Sequence, residues 1–209
     1  MPDYIEKKDV AYFMRRLYDR FLTTASGGNI SFKVNKQNIL ITPASLDKGI
    51  ISPEQIAVIS MDGKNLSQDL KPSIETNMHL AIYKKRNDVL AVVHAHPVYA
   101  SLFTTINRKI NTHLIAEARY MLGDPVFTEY ALMGTGKLAE IVSEASIKSN
   151  VILLRNHGVL TTGKTLLEAF DRMEVLENCA KMTLLTELLQ EKQEMTPEQI
   201  AAIDALRNG

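Results

Sequence analysis

The chain has one cysteine and no formal net charge, and each of these features excludes a class of function. Cys179 is the only thiol among 209 residues, so neither an internal disulfide nor a metal site built from several thiolates is available. We expect Cys179 to behave as a small buried hydrophobic residue. Basic and acidic side chains number 24 each, which leaves no overall field to attract nucleic acid or an anionic membrane. An anionic ligand would have to be bound by a local site.

Long apolar runs are also missing. The longest, such as Leu90–Val93 and Val151–Leu154, are far shorter than the ~20 residues that cross a bilayer, so no transmembrane helix is predicted. Residues 1–8 contain no apolar segment typical of a secretory signal, and the cytoplasm is the expected location. No repeat or flexible linker divides the chain. We therefore expect one domain over residues 1–209, because a domain usually contains ~100–200 residues.

The spacing of apolar residues predicts both helices and strands. Helical periodicity occupies Lys7–Phe21, Ser73–Arg86, Gly136–Ile147 and Leu166–Gln190. Apolar runs or alternating patterns predict strands at Ile30–Val34, Ile39–Thr42, Ala57–Ser60, Leu90–His96 and Val151–Leu154. The first two strands are separated by four polar residues, which indicates a hairpin. Strands joined both by hairpins and by helices favour an α/β fold, a three-layer α/β/α sandwich with a mixed central sheet.

Three hydroxyl residues are expected to begin helices. Ser52 and Thr196 are each followed by proline and then, three residues on, by glutamine, the pattern of an N-cap with a capping box. Ser73 follows Pro72 and is expected to be the N-cap of the next helix. This would place Glu75 in the first turn, where the helix dipole favours the ionised carboxylate. Most glutamates at such positions are only solvated charges.

Two histidines lie at the end of a predicted buried strand. In the segment Ala91–Pro97, His94 and His96 are two residues apart, so the pleat directs both rings to one face. Zinc accepts neutral imidazole nitrogen, and a catalytic zinc usually has three protein ligands with one position left open. Such a pair alone is more often a structural pair at a sheet edge, so a third ligand is needed for the metal interpretation.

His157 is the best candidate for that third ligand. It follows the strand Val151–Leu154 and precedes Gly158, where the backbone can turn sharply. Strand ends meet at one edge of a sheet, so His157 is expected near the first pair. His79 lies on a predicted helix and His113 in a polar connection, and both favour a structural role.

Three loops carry groups that bind anions. Ser26–Asn29 resembles a nest, in which glycines allow consecutive N–H groups to converge on an anion such as phosphate. Hydroxyls in Thr42–Ser45 and in Pro72–Ser73 would add to this site, although each is also explained as turn or cap chemistry. Gly134–Lys137 lacks the spacing of a nucleotide-binding phosphate loop, and we exclude that function there.

These motifs occur in an order and with a spacing that resembles the class II aldolase/adducin family, over roughly residues 7–190. The motifs are Ser26-Gly27-Gly28-Asn29-Ile30-Ser31, Ile41-Thr42-Pro43, Lys71-Pro72-Ser73-x-Glu75, His94-Ala95-His96, Ile106-Asn107-Arg108, Tyr130-Ala131-x-x-Gly134-Thr135 and His157-Gly158. The resemblance implies a mostly antiparallel sheet within the three-layer fold. It also implies one zinc ion per subunit, or another divalent cation, bound by His94, His96 and His157, with Glu75 as the proton-transfer residue.

The resemblance further implies a sugar-phosphate substrate. Gly28, Asn29, Ser45 and Ser73 would bind its phosphate. The expected reaction cleaves a ketose 1-phosphate, such as L-fuculose 1-phosphate or a deoxypentulose 1-phosphate, into dihydroxyacetone phosphate and an aldehyde through a metal-stabilised enediolate. A homotetramer with active sites at subunit contacts is implied as well.

The sequence departs from the aldolase pattern at the aldehyde side of the expected site. The family has a tyrosine near the position of Ile115 and another near its C-terminus, whereas this chain ends in 205–209 without one. Glu117, Tyr120 or Tyr130, or a residue of a neighbouring subunit, would have to serve as the proton donor there. The identity of the aldehyde is correspondingly open.

Other functions on the same fold are a sugar-acid phosphate decarboxylase, a ribulose-5-phosphate 4-epimerase and an adducin-like interaction module. The pattern of the epimerases has an aspartate at the position of Thr76 in this chain. Epimerase activity is therefore less favoured than either lyase activity. An adducin-like module lacks the full set of metal ligands and has a basic tail. The three histidines and Glu75 therefore favour an enzyme.

Overall fold

The structure of the protein, a computed structural model, describes residues 4–208 and contains a seven-stranded sheet within them. The strands are β1 (Asn29–Lys33), β2 (Asn38–Ile41), β3 (Ala57–Ser60), β4 (Ala91–Ala95), β5 (Val126–Thr128), β6 (Val151–Leu154) and β7 (Gly158–Gly163). Their order across the sheet is β3-β2-β1-β4-β7-β6-β5. Only β5 and β6 run parallel, so the predicted mixed, mostly antiparallel sheet is confirmed.

Helices cover both faces of this sheet. They are α1 (Lys7–Asp19), α2 (Thr76–Lys85), α3 (Val98–Thr105), α4 (Ala116–Leu122), α5 (Gly136–Lys148), α6 (Leu166–Leu189) and α7 (Pro197–Asn208). Along β4, Val92 belongs to the core shared with α2 and α5, whereas Val93 belongs to the opposite core, which includes residues of α1, α3 and α6. This alternation follows from the two-residue period of a strand and confirms the three-layer sandwich.

The antiparallel pairing brings the functional segments to one edge of the sheet. His94 at the end of β4 pairs with Asn29 at the start of β1 and with Leu160 on β7. The short turn between β6 and β7 carries His157 to the same edge. The expectation that the histidine-bearing strand ends meet is therefore confirmed.

The predicted N-cap at Ser73 is wrong. Helix α2 begins at Thr76, with Glu75 in the N-cap position. The Ser73 carbonyl and hydroxyl instead accept hydrogen bonds from the N–H groups of Thr76 (3.1 Å) and Glu75 (3.2 Å), which form a turn. Pro72 just before this turn forms a β-bridge with Pro43, and this pairing keeps the segment extended. Glu75 consequently points into the molecule and is only 5% exposed.

The other two predicted helix starts differ from each other. Thr196 forms the full capping box, because its hydroxyl accepts from Gln199 N–H (3.3 Å) and Gln199 Oε1 accepts from Thr196 N–H (2.9 Å). Ser52 begins only one turn of 3₁₀-helix over Pro53–Gln55, since the chain must enter β3 two residues later.

Cys179 is buried, as predicted. Among residues 4–208, no helix combines the length and apolar character needed to cross a membrane.

Candidate active site

The three histidines singled out in the sequence lie together. The ring centroids of His94 and His96 are 4.8 Å apart, those of His94 and His157 are 4.8 Å apart, and those of His96 and His157 are 5.6 Å apart. One nitrogen from each ring lies within 4.8 Å of the others. This arrangement suits a divalent cation that takes imidazole ligands.

The first ring is held in one tautomer. His94 is fully buried, and its Nδ1–H donates to the Val159 carbonyl at 2.9 Å. Nε2 is left with its lone pair and has no hydrogen-bond partner among residues 4–208. Burial lowers the pKa of His94 below its ordinary value. The hydrogen bond to Val159 therefore fixes the ring orientation, as second partners of metal-binding histidines usually do.

Two glycines make room for the ring of His96. A Cβ on Gly158 would overlap the His96 ring and lie 2.7 Å from the Ala95 carbonyl oxygen, and a Cβ on Gly27 would lie 3.2 Å from His96 Nδ1. Burial, followed by the neighbouring histidines, lowers the pKa of His96 to about 3. The absence of side chains at Gly27 and Gly158 thus lets a neutral imidazole reach the cluster.

Glu75 lies against the same cluster. Its Oε2 is 3.3 Å from His94 Nε2 and accepts a hydrogen bond from Asn29 Nδ2 at 2.8 Å, while Oε1 is 3.2 Å from His157 Nε2. Burial opposes ionisation of Glu75, but His94, His157 and the Asn29 amide outweigh it and hold the pKa of the carboxyl below its usual range. An ionised carboxylate therefore faces three imidazoles.

The polar atoms left without partners support a metal centre here. Seven buried side-chain atoms lack hydrogen-bond partners among residues 4–208, and three of them are Glu75 Oε1, His94 Nε2 and His157 Nδ1. Unsatisfied buried polar groups are costly, and a cation bound within this cluster would satisfy several at once. Nitrogen and carboxylate oxygen are ligands that zinc accepts, so the residues fit such an ion.

A chain of buried hydrogen bonds extends behind Glu75. Because Asn29 Nδ2 donates to Glu75, Oδ1 of Asn29 faces His79 Nε2 at 2.6 Å, and Nε2 must carry the proton. His79 Nδ1 then accepts from the Ser31 hydroxyl at 2.6 Å, and that hydroxyl accepts from Tyr83 at 2.7 Å. Burial lowers the pKa of His79 to about 3, which keeps this ring neutral. The structural role expected for His79 is consistent with this network.

Replacing His79 with phenylalanine is expected to destabilise the fold. The substitution removes the partners of Asn29 Oδ1 and of Ser31 in a fully buried position, and each buried polar group left unpaired costs ~1–3 kcal/mol. Urea unfolding should show this loss in the free energy of unfolding. Tyr83→Phe, which cuts only the far end of the network, is expected to cost less. Equal stability of His79→Phe and the unmodified protein would contradict the arrangement described.

The four residues expected to bind phosphate meet at one cavity of about 440 Å³. Gly28, Asn29, Ser45 and Ser73 all line it. Glu75, His96 and His157 line it too, so the cavity reaches the histidine cluster.

Left-handed backbone conformations shape the wall of this cavity. Gly28 has φ +64°, Ser45 has φ +60° and Asn156 has φ +52°. A Cβ on Gly28 would lie 2.7 Å from the His94 carbonyl, so only glycine fits there without strain. Left-handed residues beside ordinary ones turn successive N–H groups toward one point, the geometry of an anion nest.

Some residues considered in the sequence lie away from the cavity, and one residue that lines the cavity was not predicted. Glu117, Tyr120 and Tyr130 are exposed, and none lines the cavity of a single chain. His113 lies outside the histidine cluster. Lys48 lines the cavity but was missed, because a lone lysine in a polar loop gives no sequence signal for burial.

Comparisons with known proteins agree with this geometry. The profile of the family described as Class II Aldolase and Adducin N-terminal domain matches residues 8–184. The chain is 38% identical over 186 residues to L-fuculose phosphate aldolase of Methanocaldococcus jannaschii, covering 89% of this chain and 99% of that protein. It is 34% identical over 186 residues to 3-oxo-tetronate 4-phosphate decarboxylase of Haemophilus influenzae, covering 87% and 88%.

A solved structure of L-fuculose 1-phosphate aldolase superposes with a TM-score of 0.89 at 30% identity, covering 100% of this chain and 99% of that chain. The segment matched by the family profile includes all the cavity-lining residues.

Proposed function

Because the chain belongs to the class II aldolase and adducin family and is an enzyme of that family, we propose that it is a zinc-dependent aldolase acting on a ketose 1-phosphate. Its products would be dihydroxyacetone phosphate and an aldehyde. The observation that carries the proposal is the cluster of His94, His96 and His157 against Glu75, at a cavity whose lining includes left-handed residues such as Gly28 and Ser45.

Each part of the cavity would have a distinct task. The loops holding Gly28, Asn29, Ser45 and Ser73 would bind the phosphate and so place the ketose carbons beside the histidine cluster. The three histidines would hold the zinc, which when bound would neutralise negative charge developing on the ketose oxygens as the carbon–carbon bond breaks. Binding the phosphate at a distance from the reacting bond uses remote interactions to orient the substrate.

Glu75 would move the proton. Asn29 fixes its Oε2, and this leaves Oε1, which lacks a hydrogen-bond partner among the described residues, as the atom that exchanges a proton with the substrate. In the synthetic direction Oε1 accepts a proton from the carbon of dihydroxyacetone phosphate that forms the new carbon–carbon bond. In the cleavage direction it returns that proton to the same carbon.

A panel of ketose 1-phosphates tests the activity. Zinc-loaded protein is expected to release dihydroxyacetone phosphate from at least one of them, with L-fuculose 1-phosphate and deoxypentulose 1-phosphates as the first choices. Release is measured with a coupled reduction of dihydroxyacetone phosphate. The non-phosphorylated ketoses should react far more slowly, since they cannot use the nests. No release from any phosphorylated ketose would contradict the proposal.

A decarboxylase acting on a sugar-acid phosphate is the second candidate. The observation that favours it is the 34% identity to the decarboxylase of Haemophilus influenzae. The same cavity could hold a phosphate, and the same cation site could neutralise charge left when carbon dioxide departs. The two reactions differ in product, so carbon dioxide release from a 3-oxo sugar-acid phosphate, without release of dihydroxyacetone phosphate from the ketose panel, would select this alternative.

We also propose a homotetramer, as the family resemblance implies, and a location in the cytoplasm. Apolar side chains at the cavity support a subunit contact there, because Leu132 is 59% exposed and its neighbour Met133, which lines the cavity, is 53% exposed. A mass in solution of four times the 23.4 kDa chain is expected by light scattering, and a monomeric mass would contradict it.

A further inference from the structure

One lysine of the cavity wall is buried without an acidic partner. Lys48 is 1% exposed, and its ammonium donates a hydrogen bond to the Pro43 carbonyl. Its main-chain N–H donates to the Ala25 carbonyl at 2.8 Å. Lys48 therefore connects the Pro43–Ser45 loop to Ala25, which immediately precedes the Ser26–Asn29 loop.

No carboxylate among residues 4–208 compensates the charge of this group. No ion pair joins the Lys48 ammonium to a carboxylate among the described residues. Burial lowers the pKa of Lys48 to about 8, so most molecules still carry the positive charge at neutral pH. Buried charges are normally paired, because taking an ion out of water costs several kcal/mol or more. A site that keeps such a charge is suited to an anionic ligand.

Lys48 is also the only lysine or arginine among the residues that line the cavity. The other polar side chains of the lining carry hydroxyl, amide and imidazole groups and the carboxyl group of Glu75. A buried ammonium that donates from low-dielectric surroundings binds an anion such as phosphate more strongly than neutral donors can.

We propose that Lys48 is a phosphate-binding residue, whose ammonium donates to the substrate phosphate while it remains bonded to the Pro43 carbonyl. An ammonium has three donors and the carbonyl uses one, so two remain for phosphate oxygens. The inference rests on the proposed function in taking the ligand to be a sugar phosphate. Beyond that function, the inference identifies the Lys48 ammonium as the positively charged group that determines the affinity for phosphate.

Lys48→Met tests the inference through binding of inorganic phosphate to the zinc-loaded enzyme, measured by isothermal titration calorimetry. Loss of a charge-assisted hydrogen bond should weaken phosphate binding roughly 10- to 100-fold. Lys71→Met is the matched control, since Lys71 belongs to a neighbouring segment, is exposed and does not line the cavity. Its phosphate affinity should stay within about twofold, as expected for an exposed charge.

A purely structural role for Lys48 would give a different result. Binding of phosphate to folded Lys48→Met within about twofold of the unmodified protein would overturn the inference. Lys48→Gln keeps a donor for the Pro43 carbonyl but not the charge, so it should weaken phosphate binding while retaining zinc and the melting temperature. If Lys48→Met does not fold, Lys48→Gln carries the same test. Phosphate affinity that falls only together with zinc content would also overturn it.

Turnover separates this inference from the proposed function. If the protein is the proposed aldolase, Lys48→Gln should raise KM for the ketose 1-phosphate by a similar factor and change kcat much less. Phosphate calorimetry requires no turnover. If Lys48→Gln binds phosphate more weakly but the unmodified protein has no aldolase activity, only the proposed reaction is refuted. If the unmodified protein is an active aldolase but Lys48→Gln binds phosphate with unchanged affinity, only the role of Lys48 is refuted.

Discussion

Replacing His94 with alanine is expected to abolish both zinc binding and turnover. His94 is the fully buried member of the cluster, with Nδ1–H donated to Val159 and Nε2 left for the cation. With only two imidazoles remaining, the ion would be insufficiently held, since a catalytic zinc normally requires three protein ligands. His157→Ala should have the same effect. Zinc is measured per chain by elemental analysis after dialysis, and turnover by release of dihydroxyacetone phosphate.

His113→Ala is the matched control for these variants. It also removes an imidazole, but from a half-buried position outside the cluster, so zinc content and rate should be close to those of the unmodified protein. Undiminished zinc in His94→Ala would exclude the ring as a ligand. Zinc lost equally from His113→Ala would indicate a general effect of removing histidine.

Replacing Glu75 with glutamine is expected to keep the zinc and lower the rate by ~10²–10⁴-fold, the usual contribution of a general base. Glutamine has nearly the same shape, and its amide oxygen can still accept the hydrogen bond from Asn29. The three imidazoles remain in place, but no carboxylate is left to exchange a proton.

The control for this variant is Glu140→Gln, which removes an exposed carboxylate paired with Lys137 on α5. Its rate should be unchanged. A normal rate in Glu75→Gln would remove Glu75 from the proton transfer, and loss of zinc in that variant would instead make Glu75 a required ligand.

The meeting of the three histidines could be predicted because each lies at or just after the end of an apolar strand pattern. His94 and His96 are separated by the period of a strand, and His157 follows another apolar run, so the residue types and the strand ends were both readable in the sequence. Strand β7 was not predicted. It contains buried Thr161 and Thr162, whose hydroxyls find partners only in the folded chain, with Thr161 donating to the Ala169 carbonyl at 2.7 Å.

Features that depend on contacts between distant segments were mispredicted or missed. The start of α2 shifted from Ser73 to Thr76 because Pro72 pairs with Pro43, a contact that local capping preferences cannot indicate. Burial of Lys48 likewise depends on the loops packed around it. The single domain, the roles of the site residues and the location in the cytoplasm stay predictions.

X-ray diffraction from crystals of the purified protein, collected on both sides of the zinc absorption edge, tests the central claim most directly. We expect one anomalous peak per chain, bonded to nitrogen atoms of His94, His96 and His157 at the edge of the sheet where β1, β4 and β7 meet. An anomalous peak away from the three histidines would contradict the account. So would crystals obtained in the presence of zinc that show the three rings in place but no anomalous signal.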